Sequence, residues 1–351
     1  MSATRLTRGR WLLAIVLLGS LTAVEVRILN IAHAINQNVL EGAAQGVLAG
    51  RPYFRNYQSR ILGPILVDRV AKGTGWSYHQ AYDATGAALL LLANLACFWA
   101  LVREGTWGKA WQYTLASAGV FVAMQDRYWF YIWDYVNALV LFLVAWAVMK
   151  RARPVVMVGL FGLEIVNHEV GLLIPLWIAL QGVALRRGTL RIVSWSMAVG
   201  GLLLAGLGVA MLQALRERLF IESAITVEQF GVTTFGDSLL MLPRLLDVLM
   251  GRGPLGAERQ LLDVFTLFLG LGGTLVLLWR AWPTLGDQAW RVVALLAALI
   301  ASILLFGLVK EPRVGLVLLP FGVWLAWSSE VEADRLSAAG LSGVVGPRAD
   351  V

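Results

Sequence analysis

The stretch Gly50-Arg51-Pro52-Tyr53-Phe54-Arg55-Asn56-Tyr57-Gln58-Ser59-Arg60 interleaves arginines with aromatic rings. It lies inside the first long polar part of the chain, Asn36 to Asp83, with an apolar run at 11–33 on one side and another at 84–102 on the other. A bilayer core takes about 20 apolar residues per helical crossing. A polar segment between two such runs is therefore a connection at a membrane surface, and reading it as an outer loop assigns a side to every later loop.

Composition supports a membrane setting. Hydrophobic residues make up 58% of the 351 and charged residues 15%, against roughly 25% charged in ordinary soluble domains; mean hydropathy is +0.71. These values exclude a soluble globular enzyme and predict an all-α, polytopic transmembrane helical bundle with about ten spans. Residues 1–329 read as a single transmembrane domain with outer-face loops at 36–83 and 216–260, and 330–351 as a cytoplasmic tail of little structure. Cys97 is the single cysteine, so no intramolecular disulfide forms. The run Trp11 to Val24 has the character of a signal-peptide core, but no clear small-residue cleavage site follows, and it reads as the first transmembrane helix.

Apolar runs fall at 11–33, 84–102, 110–124, 135–149, 155–166, 170–185, 192–215, 261–279, 292–309 and 314–328. Alternate connections are short and basic: Arg5, Arg8 and Arg10; Arg103 and Lys109; Lys150, Arg151 and Arg153; Arg186, Arg187 and Arg191; Arg280 and Arg291. The positive-inside rule puts these in the cytoplasm, with both termini. The other connections mix acids and bases: 36–83, Gln125 to Asp134, Asn167-His168-Glu169, 216–260 and Lys310-Glu311-Pro312-Arg313. They share the outer face. Within 36–83, Leu40, Ala43, Ala44, Val47 and Leu48 fall on one helical face, and Ile61, Leu62, Ile65, Leu66 and Val70 on another, which predicts two short interfacial helices.

Four polar clusters carry possible chemistry. Arg51, Arg55 and Arg60 with Tyr53 and Tyr57 suit an anionic, partly apolar ligand, because guanidinium matches phosphate oxygens; interfacial anchoring is the plainer alternative. Asp126 and Asp134 lie in a turn dense in tyrosine and tryptophan, where Asp134 opens a span and helix capping competes with catalysis. Glu164, His168 and Glu169 interrupt an apolar stretch. Ionisable groups at membrane depth default to a function, with a mutually satisfied pair as the structural alternative. Glu25 with Arg27, and Glu311 with Arg313, emerge at the outer side of their spans, where simple salt bridges also fit. No phosphate-binding glycine loop, zinc-protease motif, metal-type cysteine or histidine spacing, or serine-nucleophile elbow is present. Inner basic residues follow topology, so nucleic acid is not an expected partner. An alanine-, leucine- and arginine-rich, lysine-poor composition points to a bacterial inner membrane.

The segment Asn38-Val-Leu-Glu-Gly-Ala-Ala-Gln-Gly-Val-Leu-Ala-Gly-Arg-Pro-Tyr53, followed by Arg60-Ile-Leu-Gly-Pro64, resembles the first outer loop of the GT-C superfamily of polytopic glycosyltransferases. Asn167-His168-Glu169 ahead of Pro175 is similar to an Asn-Arg-Glu-Thr stretch in that family, and Glu311-Pro312-Arg313 to its late Glu-x-Arg element. The resemblance implies a GT-C-like bundle that transfers a sugar from a polyprenyl-phosphate donor at the outer leaflet to a glycan or lipid acceptor. Membrane lipids would be its other partners. It implies no organic cofactor and leaves a divalent metal open. Where the family places an early acidic residue, this chain has Asn36, Gln37 and Asn38, so the base falls to Glu25, Glu41, Asp126 or Asp134, or catalysis is lost.

Glu25, Asp126 and Asp134 are thus the candidate catalytic residues. Arg51, Arg55, Tyr57, Arg60, His168, Glu169, Glu311 and Arg313 are the candidate substrate-binding ones, with Arg60 and Arg313 on the phosphate and Glu169 orienting an arginine. The alternatives are a lipid or sugar transporter or flippase, in which Glu164, His168 and Glu169 line a pathway, and a catalytically silent scaffold.

Overall fold

Each of the ten apolar runs lies on or enters a helix in the computed structural model, which describes residues 7–53, 55–124, 130–186, 189–222, 257–306 and 312–338. The first, α1 (Arg8–His33), is followed by the short α2 (Gln37–Leu48) and α3 (Leu62–Thr74), joined by a 3₁₀ turn at Arg55–Ser59. Then come α4 (Tyr78–Val102), α5 (Trp107–Ala123), α6 (Ile132–Met149), α7 (Pro154–Ile165) and α8 (Leu173–Gln181). A hairpin of β1 (Val183–Arg186) and β2 (Thr189–Ile192) leads to α9 (Trp195–Arg218). The described chain closes with α10 (Ala257–Leu285), α11 (Ala289–Phe306) and, after a 3₁₀ segment at Pro312–Leu318, α12 (Leu319–Ala338).

Local chemistry sets several helix starts. Ser77 and Gln80 form a reciprocal capping box, which satisfies two otherwise unpaired backbone donors and starts α4 at Tyr78, ahead of its apolar run. Pro154 occupies the first turn of α7, where a missing N–H costs nothing. Asp134 accepts from the backbone N–H of Tyr131 at 2.9 Å and caps α6.

Contacts sort the connections to two ends of the bundle. At one, Lys109 pairs with Glu330 and Asp334, Lys150 with Glu104, and Arg151 with Asp287. At the other, His33 stacks on Phe130, Gln37 bonds Asp83, and the backbone N–H groups of Ile61 and Leu62 both donate to the Val166 carbonyl. Among the described residues, the basic connections thus gather at the first end and the mixed ones at the second.

Among the described residues, five helical segments are long and apolar enough to cross a bilayer: Arg8–His33, Tyr78–Val102, Ile132–Met149, Trp195–Arg218 and Leu269–Ser302; others, such as Pro154–Ile165, are shorter. Large apolar side chains face outward on α1 (Leu12, Val16) and α9 (Leu202, Leu203, Leu207). Exposed Trp76, Trp195, Trp279 and Trp282 stand at or near helix ends, as aromatic belts do at membrane interfaces. This is the surface of a membrane protein. Inside, Trp133, Trp177, Trp327, Phe98 and Phe130 are almost fully buried.

The structure departs from the sequence reading in three places. The run at 170–185 ends as β1, whose pairing with β2 starts at Val183 opposite Ile192; Arg291 clamps it by donating to the Val183 carbonyl from Nε and Nη2 at 3.1 and 2.7 Å. Among the described residues the all-α expectation holds apart from this hairpin. The predicted unstructured tail begins as helix, since α12 runs to Ala338. On α2 the predicted face Leu40, Ala43, Ala44 and Val47 is buried. On α3 the buried set is instead Gly63, Pro64 and Val67, because the missing side chain of Gly63 lets the helix approach the backbone of Ile132 and Trp133.

Candidate functional site

The mixed end of the bundle is built on the break between α7 and α8. At residues 166–168 the chain leaves the helix, and the freed Val166 carbonyl takes up Ile61 and Leu62, docking the loop beside it. Asn167, fully buried, donates from Nδ2 to the Trp133 carbonyl at 3.0 Å and so fixes the break to the start of α6. This puts Arg60, Glu169 and Trp133 in one place.

Glu169 is the centre of the site. Its Oε2 accepts from Arg60 Nη2 at 3.1 Å, and its Oε1 from Arg216 Nη2 at 2.5 Å and from Ser59 Oγ at 3.5 Å. Arg60 and Arg216 keep only 15% and 28% of their side chains exposed. Burial pushes the Glu169 carboxyl up, but Arg60, His168 and Arg216 outweigh it and hold it at about 2. His168 Nδ1 accepts the backbone N–H of Val170 at 3.2 Å, which places the ring proton of the neutral form on Nε2. Two guanidiniums around one carboxylate leave an excess positive charge among these three side chains. Arg216 Nε is also buried with no hydrogen-bond partner among the described residues.

Aromatic rings wall the cluster. The Arg60 guanidinium lies 4.6 Å from the Tyr57 ring centre and 5.7 Å from that of Trp133. Tyr131 stacks on Trp133 at 4.5 Å, and Tyr57 meets both, at 5.5 and 5.1 Å. A site of this kind can grip an anion and lay an apolar or sugar-like group against flat faces.

Of the predicted residues, Tyr57, Arg60, His168 and Glu169 come together. Arg51 does not join them; it pairs with Glu222 at 3.0 Å on an exposed surface. Asp134 is turned to capping by the start of α6. Glu25, expected at the outer headgroups, is 2% exposed and faces the bundle interior, its Oε2 accepting from Asn94 Nδ2 at 2.6 Å. It sits about 12 Å before the end of α1, at ~1.5 Å rise per residue. Asp126 and Glu311 lie outside the described residues, as do the side chains of Arg55 and Arg313.

Arg216 is the member of this cluster that the sequence reading missed. Its signal is its position in the last turn of α9, at the start of the connection expected to be an outer loop. A second cluster at the same end joins Glu41, which accepts from Gln37 Nε2 at 2.9 Å and meets His79 Nδ1 at 2.6 Å, with Asp83, which accepts from the same Gln37 nitrogen at 3.2 Å. No group of three or more acidic, histidine or cysteine side chains arranged to hold a metal ion occurs among the described residues. No family model, curated protein or solved structure matches the chain.

Proposed function

We propose that the protein is a membrane glycosyltransferase of GT-C-like, ten-span architecture that takes a sugar from a polyprenyl-phosphate donor at the outer leaflet of a bacterial inner membrane. The observation that carries this reading is the convergence of Arg60 and Arg216 on Glu169 beside the Tyr57–Trp133 wall. In this reading the guanidiniums take the donor phosphate and stabilise the charge that grows on it as the sugar leaves. Glu169 holds both in register. A general base must then deprotonate the acceptor hydroxyl. With Asp134 committed to a cap and Glu25 inside the bundle, the Glu41–His79 pair at the same end is the base the reading favours, the carboxylate orienting the imidazole.

The test is release of free polyprenyl phosphate by purified protein in detergent, given a panel of polyprenyl-phosphate sugars and an acceptor extract. Release that disappears in Arg60→Ala and Arg216→Ala supports transfer. No release from any donor contradicts it. A transporter reading has one observation in its favour, the Glu25–Asn94 contact between α1 and α4 within the bundle. Donor-dependent uptake into proteoliposomes, without release in detergent and lost in Glu25→Gln, would favour that reading instead.

A further inference from the structure

On the lipid-facing side of the bundle, α1 and α4 do not close on each other along their whole length. A groove of about 480 Å³ runs between them, lined from α1 by Gly19, Thr22, Ala23, Val26, Arg27 and Asn30, and from α4 by Ala87, Ala88 and Leu91. The α1 residues recur at spacings of three and four, so they form one continuous stripe. From Gly19 to Asn30 that stripe rises about 16 Å, close to the roughly 15 Å of one leaflet of hydrocarbon. Its apolar part lies toward the middle of the helix and its polar part toward the end at His33. A groove with that length and that polarity has the layout of one lipid molecule.

Arg27 decides which lipid. It is exposed and forms no ion pair among the described residues. The carboxylate nearest in sequence, Glu25, points into the bundle toward Asn94, and residues two apart on a helix do not face each other. A partner helix seated in the groove would bury this unpaired cation, at a cost that opposes the contact. A phosphate at headgroup level has the opposite effect, because it supplies the missing charge and accepts from the guanidinium fork and from the Asn30 amide.

We propose that the α1–α4 groove binds one diacyl phospholipid of the surrounding bilayer, its phosphate on Arg27 and Asn30 and one acyl chain along Gly19, Ala23, Ala87 and Ala88. Its side chains are distinct from Arg60, Glu169 and Arg216, so the proposal stands or falls separately from glycosyl transfer. Gly19 offers a clean probe, since a Cβ added there meets no protein atom within 4 Å. Leucine at that position would extend into the groove that Gly19 lines. Gly119 on α5, equally open, serves as the control for adding the same bulk elsewhere.

The experiment is native mass spectrometry of the full chain in detergent, titrated with dioleoylphosphatidylglycerol and, separately, with dioleoylglycerol, which lacks the phosphate. The wild type and Gly119→Leu are expected to retain one phosphatidylglycerol tightly. Arg27→Gln should weaken that binding roughly fivefold, the weight of one arginine near an anionic lipid surface. Gly19→Leu should abolish the tight adduct. Binding unchanged in both variants, or equal binding of dioleoylglycerol, would overturn the proposal. So would preferential occupancy by a polyprenyl phosphate lost in Gly19→Leu, which would assign the groove to the donor.

Discussion

Glu169 keeps two guanidiniums apart and in place, and it is held by them in turn. Replacing it with glutamine removes the negative charge and leaves Arg60 and Arg216 repelling each other at less than a third exposure. Glu169→Gln should therefore cost about 1–3 kcal/mol, read as a lower midpoint in thermal unfolding of the detergent-solubilised protein, with Glu169→Asp losing less. The pH dependence follows from the same pair. The carboxyl lies at about 2 in the folded chain against an ordinary 4.5, so the folded state binds the proton less well than the unfolded one. The stabilisation is complete above the ordinary value and is lost as pH falls through the folded one. Wild type should lose stability relative to Glu169→Gln as pH drops from about 5 toward 2, and an unchanged difference over that window would argue against the ion pairs.

The placement of Arg216 depends on how α9 lies on α8. The two helices approach closely because Gly201 presents no side chain: a Cβ there would sit 2.5 Å from the Ala179 backbone nitrogen and 2.7 Å from the Pro175 carbonyl oxygen. Gly201→Ala must push α9 outward, at about 1–3 kcal/mol for overpacking, and move Arg216 off Glu169. Gly200→Ala, whose Cβ meets nothing within 4 Å, should be silent in both unfolding and ligand affinity. This dependence explains what the sequence made legible. Apolar runs report helices directly, and the interruption at Asn167-His168-Glu169 reports a polar break, because both signals are local. The start of α4 was also encoded, in Ser77 and Gln80, but polar residues from Tyr78 to Asp83 hid it among loop residues. The β1–β2 hairpin was not legible, since Val183, Ala184 and Leu185 read as the end of an apolar helix and only the pairing with β2 makes them a strand. The contact of Arg216 was hidden for the same reason: its position at the end of α9 could be read, but that it meets Glu169, 47 residues away in the chain, is decided by helix packing. Glu25 was misplaced because its distance along α1 says nothing about which face it occupies.

The basic connections that the structure describes lie at one end of the bundle and the described mixed ones at the other, and the positive-inside rule then predicts a fixed orientation in the membrane. Cysteines introduced one at a time in place of Arg153 and Glu222, at opposite ends, should differ in labelling by an impermeant maleimide on spheroplasts, with Glu222→Cys reacting and Arg153→Cys protected. Native Cys97 is buried and should stay silent. Labelling of both, or of Arg153→Cys alone, would reject the topology. In the proposed function the mixed end grips a lipid-borne phosphate through Arg60 and Arg216. The most direct measurement is the equilibrium affinity of the purified protein for a polyprenyl monophosphate, compared with the same polyprenol without phosphate. Clear preference for the phosphate is expected, with Arg60→Ala and Arg216→Ala each weakening it about tenfold or more, as loss of a charged hydrogen bond entails. Equal affinity for the alcohol, or affinity unchanged in both variants, would contradict it.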